Sequence, residues 1–205
     1  FNVFLGSCAG RCAANSSETV AIGFLAGAEG NRAISNGIFI GKYAGGNTSG
    51  GGNQIAVGTE AGKLMGGDDI IAIGVNAGYG SLNISQSLIM GNSAGLEVSG
   101  AIGSNMIGTQ AGTYADTANY SNVIGFQAAL NATGLDKTNI IGHIAANSSS
   151  GLGIQLIIWS ESVQLRVMQW TLCGVIIIFS PRSAISYQKG RSYCHFTFSN
   201  SLYHI

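Results

Sequence analysis

Charge is what this sequence most lacks. Asp, Glu, Lys and Arg make up 9% of its 205 residues, nine basic and nine acidic, for a net charge of zero. An ordinary domain carries about 25% charged residues. Zero net charge removes the electrostatic argument for a nucleic acid or an anionic membrane surface as partner. Proline occurs once, which excludes collagen and a proline-rich linker. The four cysteines, Cys8, Cys12, Cys173 and Cys194, form no CxxC pair and no dense disulfide framework. They read as small buried or half-buried thiols. No apolar run reaches the roughly 18 residues of a membrane helix; the longest candidate is Leu172 to Phe179. Hydrophobic content is nevertheless 46%, which argues against disorder. Position 1 is not Met and a repeat is already under way there, so the sequence reads as an internal fragment.

What is abundant is glycine, 32 residues, against a usual share near 7%. Its placement is periodic. Hexamers such as IGFLAG, IGKYAG, VGTEAG and IGVNAG align on Gly6, Gly23, Gly41, Gly58, Gly74, Gly91, Gly108, Gly125 and Gly142. Successive spacings are 17, 18, 17, 16, 17, 17, 17 and 17 residues, so nine copies fill residues 1–150. With this Gly as position 0, position −1 is always apolar: Leu5, Ile22, Ile40, Val57, Ile73, Met90, Ile107, Ile124 and Ile141. Position +3 is always Ala: Ala9, Ala26, Ala44, Ala61, Ala77, Ala94, Ala111, Ala128 and Ala145. Position +4 is Gly from Gly10 to Gly112, then Ala129 and Ala146.

A fixed period of this length is a solenoid signature. Position −3 is aliphatic in six copies, Val3, Val20, Ile38, Ile55, Ile71 and Leu88, and shares a strand face with position −1. In the last three copies it is Asn105, Asn122 and Asn139, which predicts a shorter or differently set strand. Gly at position 0 permits a bend or a close approach that a Cβ would block. Ala at +3 suits a narrow interior. Two glycines per unit and β-branched runs disfavour helix. The stretches between hexamers, rich in Asn, Ser, Thr, Asp and Gly, read as turns. The prediction is an all-β chain: a parallel β-solenoid of about nine 17-residue coils, one β-run each, with two or three aliphatics and an Ala inside each coil. Coils stacked about 4.8 Å apart would make a rod of roughly 40 Å. So thin a unit buries little apolar surface alone, and side-by-side association of rods would supply more.

The repeats NVFLGSCAG, TVAIGFLAG, IAVGTEAG and IIAIGVNAG, nine times in phase over residues 1–150, resemble the head repeats of trimeric autotransporter adhesins of the YadA type. They are similar also to repeats of some phage tail fibres. The resemblance implies a left-handed parallel β-roll packed as a homotrimer. It implies that the repeated Gly and Ala are structural, that no residue is catalytic, and that no cofactor or metal is held. It implies a role in adhesion or host attachment, with a host surface protein or glycan as partner rather than a nucleic acid or a small-molecule substrate. The site would be the bacterial cell surface, attached to the outer membrane through regions outside this sequence, or a virion tail fibre. The period is a little longer than in many adhesin heads, and no neck, heptad stalk or membrane-anchor barrel is visible. The frequent Ala-Gly pair looks closer to the fibre variants.

Other motifs weigh less. VGTEAGK (Val57 to Lys63) is one residue short of a phosphate loop, and Leu64 stands where Ser or Thr is required. Asp68 and Asp69 read as a solvated turn, and the Ca²⁺-binding nonapeptide of some solenoids is absent. His143 reads as an exposed surface histidine. Tripeptides at Asn15, Asn47, Asn83, Asn131 and Asn147 match the glycosylation pattern, but turns of Asn, Ser and Thr generate it by chance. A polysaccharide-processing solenoid would need acidic pairs in register on successive coils; Glu29, Glu60, Asp68 and Glu97 occupy different or turn positions.

Residues 151–205 break the rule. They hold four of the 32 glycines, both tryptophans and the only proline. Three readings stay open. LCGVIIIFS and YCHFTFSN could be strands of an end cap, which an open β-stack requires. The segment could be separate or misassembled. Or it could be out of frame: read one base over from Leu156, the codons permit a pattern like TNIIGHIA (Thr138 to Ala145).

Overall fold

The computed structural model describes residues 1–12, 16–28, 35–49, 52–152, 156–160, 184–189 and 194–199. Among these there is no helix, and no segment long and apolar enough to cross a membrane as one. The first strands are β1 (Val3–Leu5), β2 (Val20–Ile22), β3 (Ile38–Ile40), β4 (Gln54–Val57) and β5 (Ile70–Ile73). Then two strands alternate per coil: β6 (Leu82–Ser85), β7 (Ser87–Met90), β8 (Ser99–Ile102), β9 (Asn105–Ile107), β10 (Asp116–Asn119), β11 (Asn122–Ile124), β12 (Thr133–Asp136) and β13 (Asn139–His143). After them come β14 (Leu156–Ser160), β15 (Ala184–Lys189) and β16 (Cys194–Ser199).

The chain is a parallel β-solenoid. Ten strands form one sheet in the order β1-β2-β3-β4-β5-β7-β9-β11-β13-β14, and β6, β8, β10 and β12 form a second. The register follows the repeat: Val20 pairs with Ile38, Ile38 with Ile55, Ile55 with Ile71, Ile71 with Leu88 and Leu88 with Asn105. The three asparagines continue it, Asn105 with Asn122 and Asn122 with Asn139. The strand is neither shortened nor reset there: β9 and β11 have three residues, as β1, β2 and β3 do, and β13 has five. β14 adds a tenth rung, with Ile157 on Ile140 and Trp159 where position 0 would put glycine. β15 and β16 pair antiparallel. All of LCGVIIIFS, and any capping role for it, lies outside the described residues.

Glycine at position 0 is required by two independent facts. Its φ lies between +130° and +138° in every copy, and a Cβ there would sit 2.1–2.5 Å from the carbonyl oxygen of the glycine one coil on at the eight stacked positions from Gly6 to Gly125. Each coil then bends through a hydrogen-bonded corner. Gly74 N–H donates to Val57 O at 2.8 Å, Asn76 N–H to Thr59 O at 3.0 Å, and Gly78 N–H to Ala94 O at 2.9 Å. The +3 alanines from Ala26 to Ala145 are buried, whereas Ala9, in the first coil described, is half-buried.

The interior departs from expectation in three ways. First, the aliphatics that fill the coil are those of position −2, not those of −3 and −1. Ala21, Phe39, Ala56, Ala72, Ile89, Met106, Val123 and Ile140 are all at most 1% exposed. Phe39, the largest of them, stacks between the small Ala21 and Ala56. Second, stretches read as polar turns are strands from residue 82 to 136. Their inward row, Ile84, Ala101, Ala118, Leu135 and then Leu152, completes the core opposite position −2. Third, position −4 is a buried hydroxyl ladder. Ser87, Ser104 and Ser121 each accept a hydrogen bond from the backbone N–H of the residue one coil on, at 3.2, 3.2 and 3.1 Å. Their hydroxyls and that of Thr138 donate to main-chain carbonyls across the coil: Ser87 to Ala101 at 3.0 Å, Ser104 to Ala118, Ser121 to Leu135 at 3.2 Å and Thr138 to Leu152 at 2.8 Å. Buried polar groups are tolerated there because each is hydrogen-bonded.

Candidate interaction surface

Strand alternation that sends position −2 inward sends −3, −1 and +1 outward. The ten-stranded sheet therefore presents an apolar face to solvent. Ile38, Ile40, Ile71, Met90, Ile124 and Ile141 are 36–39% exposed. Val20, Ile22, Ile55, Val57, Ile73, Leu88 and Ile107 are half-buried between their neighbours above and below. Position +1 extends the face with Phe24, Val75 and Phe126, each 43–44% exposed. Continuous apolar surface of this kind marks an interaction site far more often than scattered single residues do.

Two features interrupt it. Asn105, Asn122 and Asn139 are half-buried in row −3, and their amides form a ladder: Asn105 Nδ2 donates to Asn122 Oδ1 and Asn122 Nδ2 to Asn139 Oδ1, both at 2.7 Å. Beside the face runs an aromatic and basic strip. The rings of Phe24 and Tyr43 meet edge-on at 5.4 Å, Lys63 Nζ lies 4.7 Å from the Tyr43 centroid, and the same ammonium reaches Glu60 at 3.3 Å. Further along, Phe126 and His143 stack with centroids 5.1 Å apart.

The tempting motifs take structural places. Gly58 and Gly62 of VGTEAGK belong to the stacked columns, and Lys63 is engaged with Glu60 and Tyr43. Asp68 and Asp69 are exposed and bind the preceding coil: Asp68 Oδ1 accepts from Gly52 N–H at 3.1 Å and Asp69 Oδ1 from Asn53 Nδ2 at 2.7 Å. Cys8 and Cys12 are exposed rather than buried; Cys173 lies outside the described residues. Among the described residues no group of three His, Cys, Asp or Glu could hold a metal. Asn47, Asn83 and Asn131 are exposed with φ of 53–55°; Asn15 and Glu29 lie outside the described residues.

The position −2 row, the second sheet and the hydroxyl ladder escaped the sequence reading. Their signal was present, since Ile84, Ala101, Ala118, Leu135 and Leu152 recur at 17 residues. A turn-like composition concealed it. Comparison with protein families, characterised proteins and solved structures returned no match to this chain.

Proposed function

We propose that this solenoid is a rigid, non-enzymatic module of a surface fibre that acts in adhesion or host attachment as a homotrimer, as its resemblance to trimeric adhesin heads implies. The observation that supports the reading is the outward apolar face. Rows −3 and −1 repeat on coil after coil without serving the coil interior. Burying such rows stabilises association by roughly 25 cal/mol per Å² of apolar surface. Association of three chains around these faces leaves the corners and the second sheet outside. There the variable residues stand on a rigid scaffold, the usual arrangement for recognition, and three copies of each weak contact reinforce one another. A host surface protein or glycan is the partner that fits. The Ala-Gly pairs favour a second reading, a receptor-binding segment of a phage tail fibre, with the same chemistry at a virion surface.

Light scattering on the full chain tests association: three times 21.0 kDa is expected, and a folded monomer at micromolar concentration sinks the trimer. Beads coated with the chain test attachment. Retention on cell monolayers or glycan arrays that is lost when exposed corner residues are changed supports it. A well-folded trimer that adheres to none of them counts against it.

A further inference from the structure

We propose that the ladder Asn105–Asn122–Asn139 is the register key of the self-associating face, so that the partner this face fits is a second copy of the chain lying parallel and at the same level. The inference rests on the self-association reading above and adds what determines its geometry.

A solenoid face has a problem that an irregular surface lacks. Each coil presents nearly the same residues as the next, so a partner displaced by one coil keeps most of its contacts. The same degeneracy makes featureless strands slip. Rows −3 and −1 of the first six copies are of this kind, aliphatic at both positions throughout. Row −1 then stays apolar through Ile107, Ile124 and Ile141 while row −3 becomes asparagine. The face is therefore divided along its length by one row, with its apolar character otherwise retained.

The amides can reward one alignment. Each asparagine has two N–H donors and an oxygen with two acceptor sites. The ladder uses one donor each of Asn105 and Asn122, and one acceptor site each of Asn122 and Asn139. What remains can bond a matching amide on a copy at the same level. A one-coil slip instead sets Leu88 of one copy against Asn105 of the other. Antiparallel packing in full overlap sets Asn105, Asn122 and Asn139 against Ile38, Val20 and Val3. In both, amides pressed on aliphatics lose water without gaining a partner, which is unfavourable. A single polar layer in an apolar seam fixes register in coiled coils by the same logic.

The test uses the full chain with C8S, C12S, C173S and C194S, carrying either I55C or I71C as the sole thiol, both in row −3. Oxidation is expected to cross-link I55C chains to I55C chains and I71C to I71C. Mixed I55C and I71C chains should yield roughly tenfold less offset product. Adding N105L, N122L and N139L, which extends the Leu88 chemistry down the row, should raise offset product toward the matched level while the assembly persists by light scattering. A discrete assembly whose cross-links ignore level, or whose ratio is unmoved by the three leucines, overturns this inference alone. A monomer with no cross-link of either kind overturns the self-association reading and this inference with it. Should the triple variant misfold, N122L alone, read by the same ratio, decides the part of the asparagines, while the first ratio decides the level.

Discussion

Gly74→Ala should damage this protein far more than Gly100→Ala, although both glycines have positive φ. At Gly74, φ is +133° and an added Cβ would lie 2.3 Å from Gly91 O. Real Cβ contacts essentially never fall below 3.0 Å, so the two coils must part locally by roughly 0.7 Å, the difference between those two distances. The bonds at that corner cannot absorb this. Gly91 N–H donates to Ile73 O and Ser93 N–H to Val75 O, each at 2.8 Å. Weakening two such bonds costs about 1 kcal/mol each, and the backbone conformation costs a further ~1–3 kcal/mol for a residue other than glycine. The sum is about 3–5 kcal/mol. At Gly100, φ is +78° and the nearest atom to an added Cβ is Thr117 Cα at 4.0 Å. Only the left-handed backbone term applies there, about 1–2 kcal/mol. Urea unfolding followed by circular dichroism measures both. Equal losses would refute the claim that carbonyl contact between coils, rather than φ alone, keeps glycine in the column. So would a Gly74→Ala protein as stable as the parent.

Further outcomes follow from the same geometry. Ala77→Phe, at a site with no exposed surface, should overfill the coil and cost at least ~1–3 kcal/mol; a neutral result would mean that the position reaches solvent. Phe39→Ala should remove the large member of the Ala21–Phe39–Ala56 stack and cost about 3–5 kcal/mol, read as a lower thermal midpoint. Ser104→Ala should leave the Ser121 N–H without its acceptor and cost roughly 1–3 kcal/mol. Ser93→Ala, whose hydroxyl is bonded only to the adjacent Asn92 side chain at 3.1 Å, should change stability by less than about 0.5 kcal/mol. Ile40→Ser together with Ile73→Ser should leave the coil interior intact by circular dichroism while lowering the associated mass seen by light scattering.

The sequence by itself determined the period, the parallel stacking and the identity of the tight column. A glycine every 17 residues, followed at +3 by Ala, admits little else: the spacing sets one coil, and a missing Cβ lets carbonyls of adjacent coils approach. It did not determine which strand face lies inside. Around Ile38, Phe39 and Ile40 both faces are apolar, so alternation alone leaves two answers. Around Phe39 the choice is made by the bend at Gly41 and by the buried +3 alanines Ala26, Ala44 and Ala61, which share its core cluster. In later coils it is made by the inward row from Ile84 to Leu152, which meets position −2 across the coil. That row belongs to strands hidden in turn-like sequence, and the hydroxyl ladder holds only because Ser87, Ser104 and Ser121 face carbonyls from those strands. These are relations between residues brought together by stacking, and only the tertiary structure could decide them.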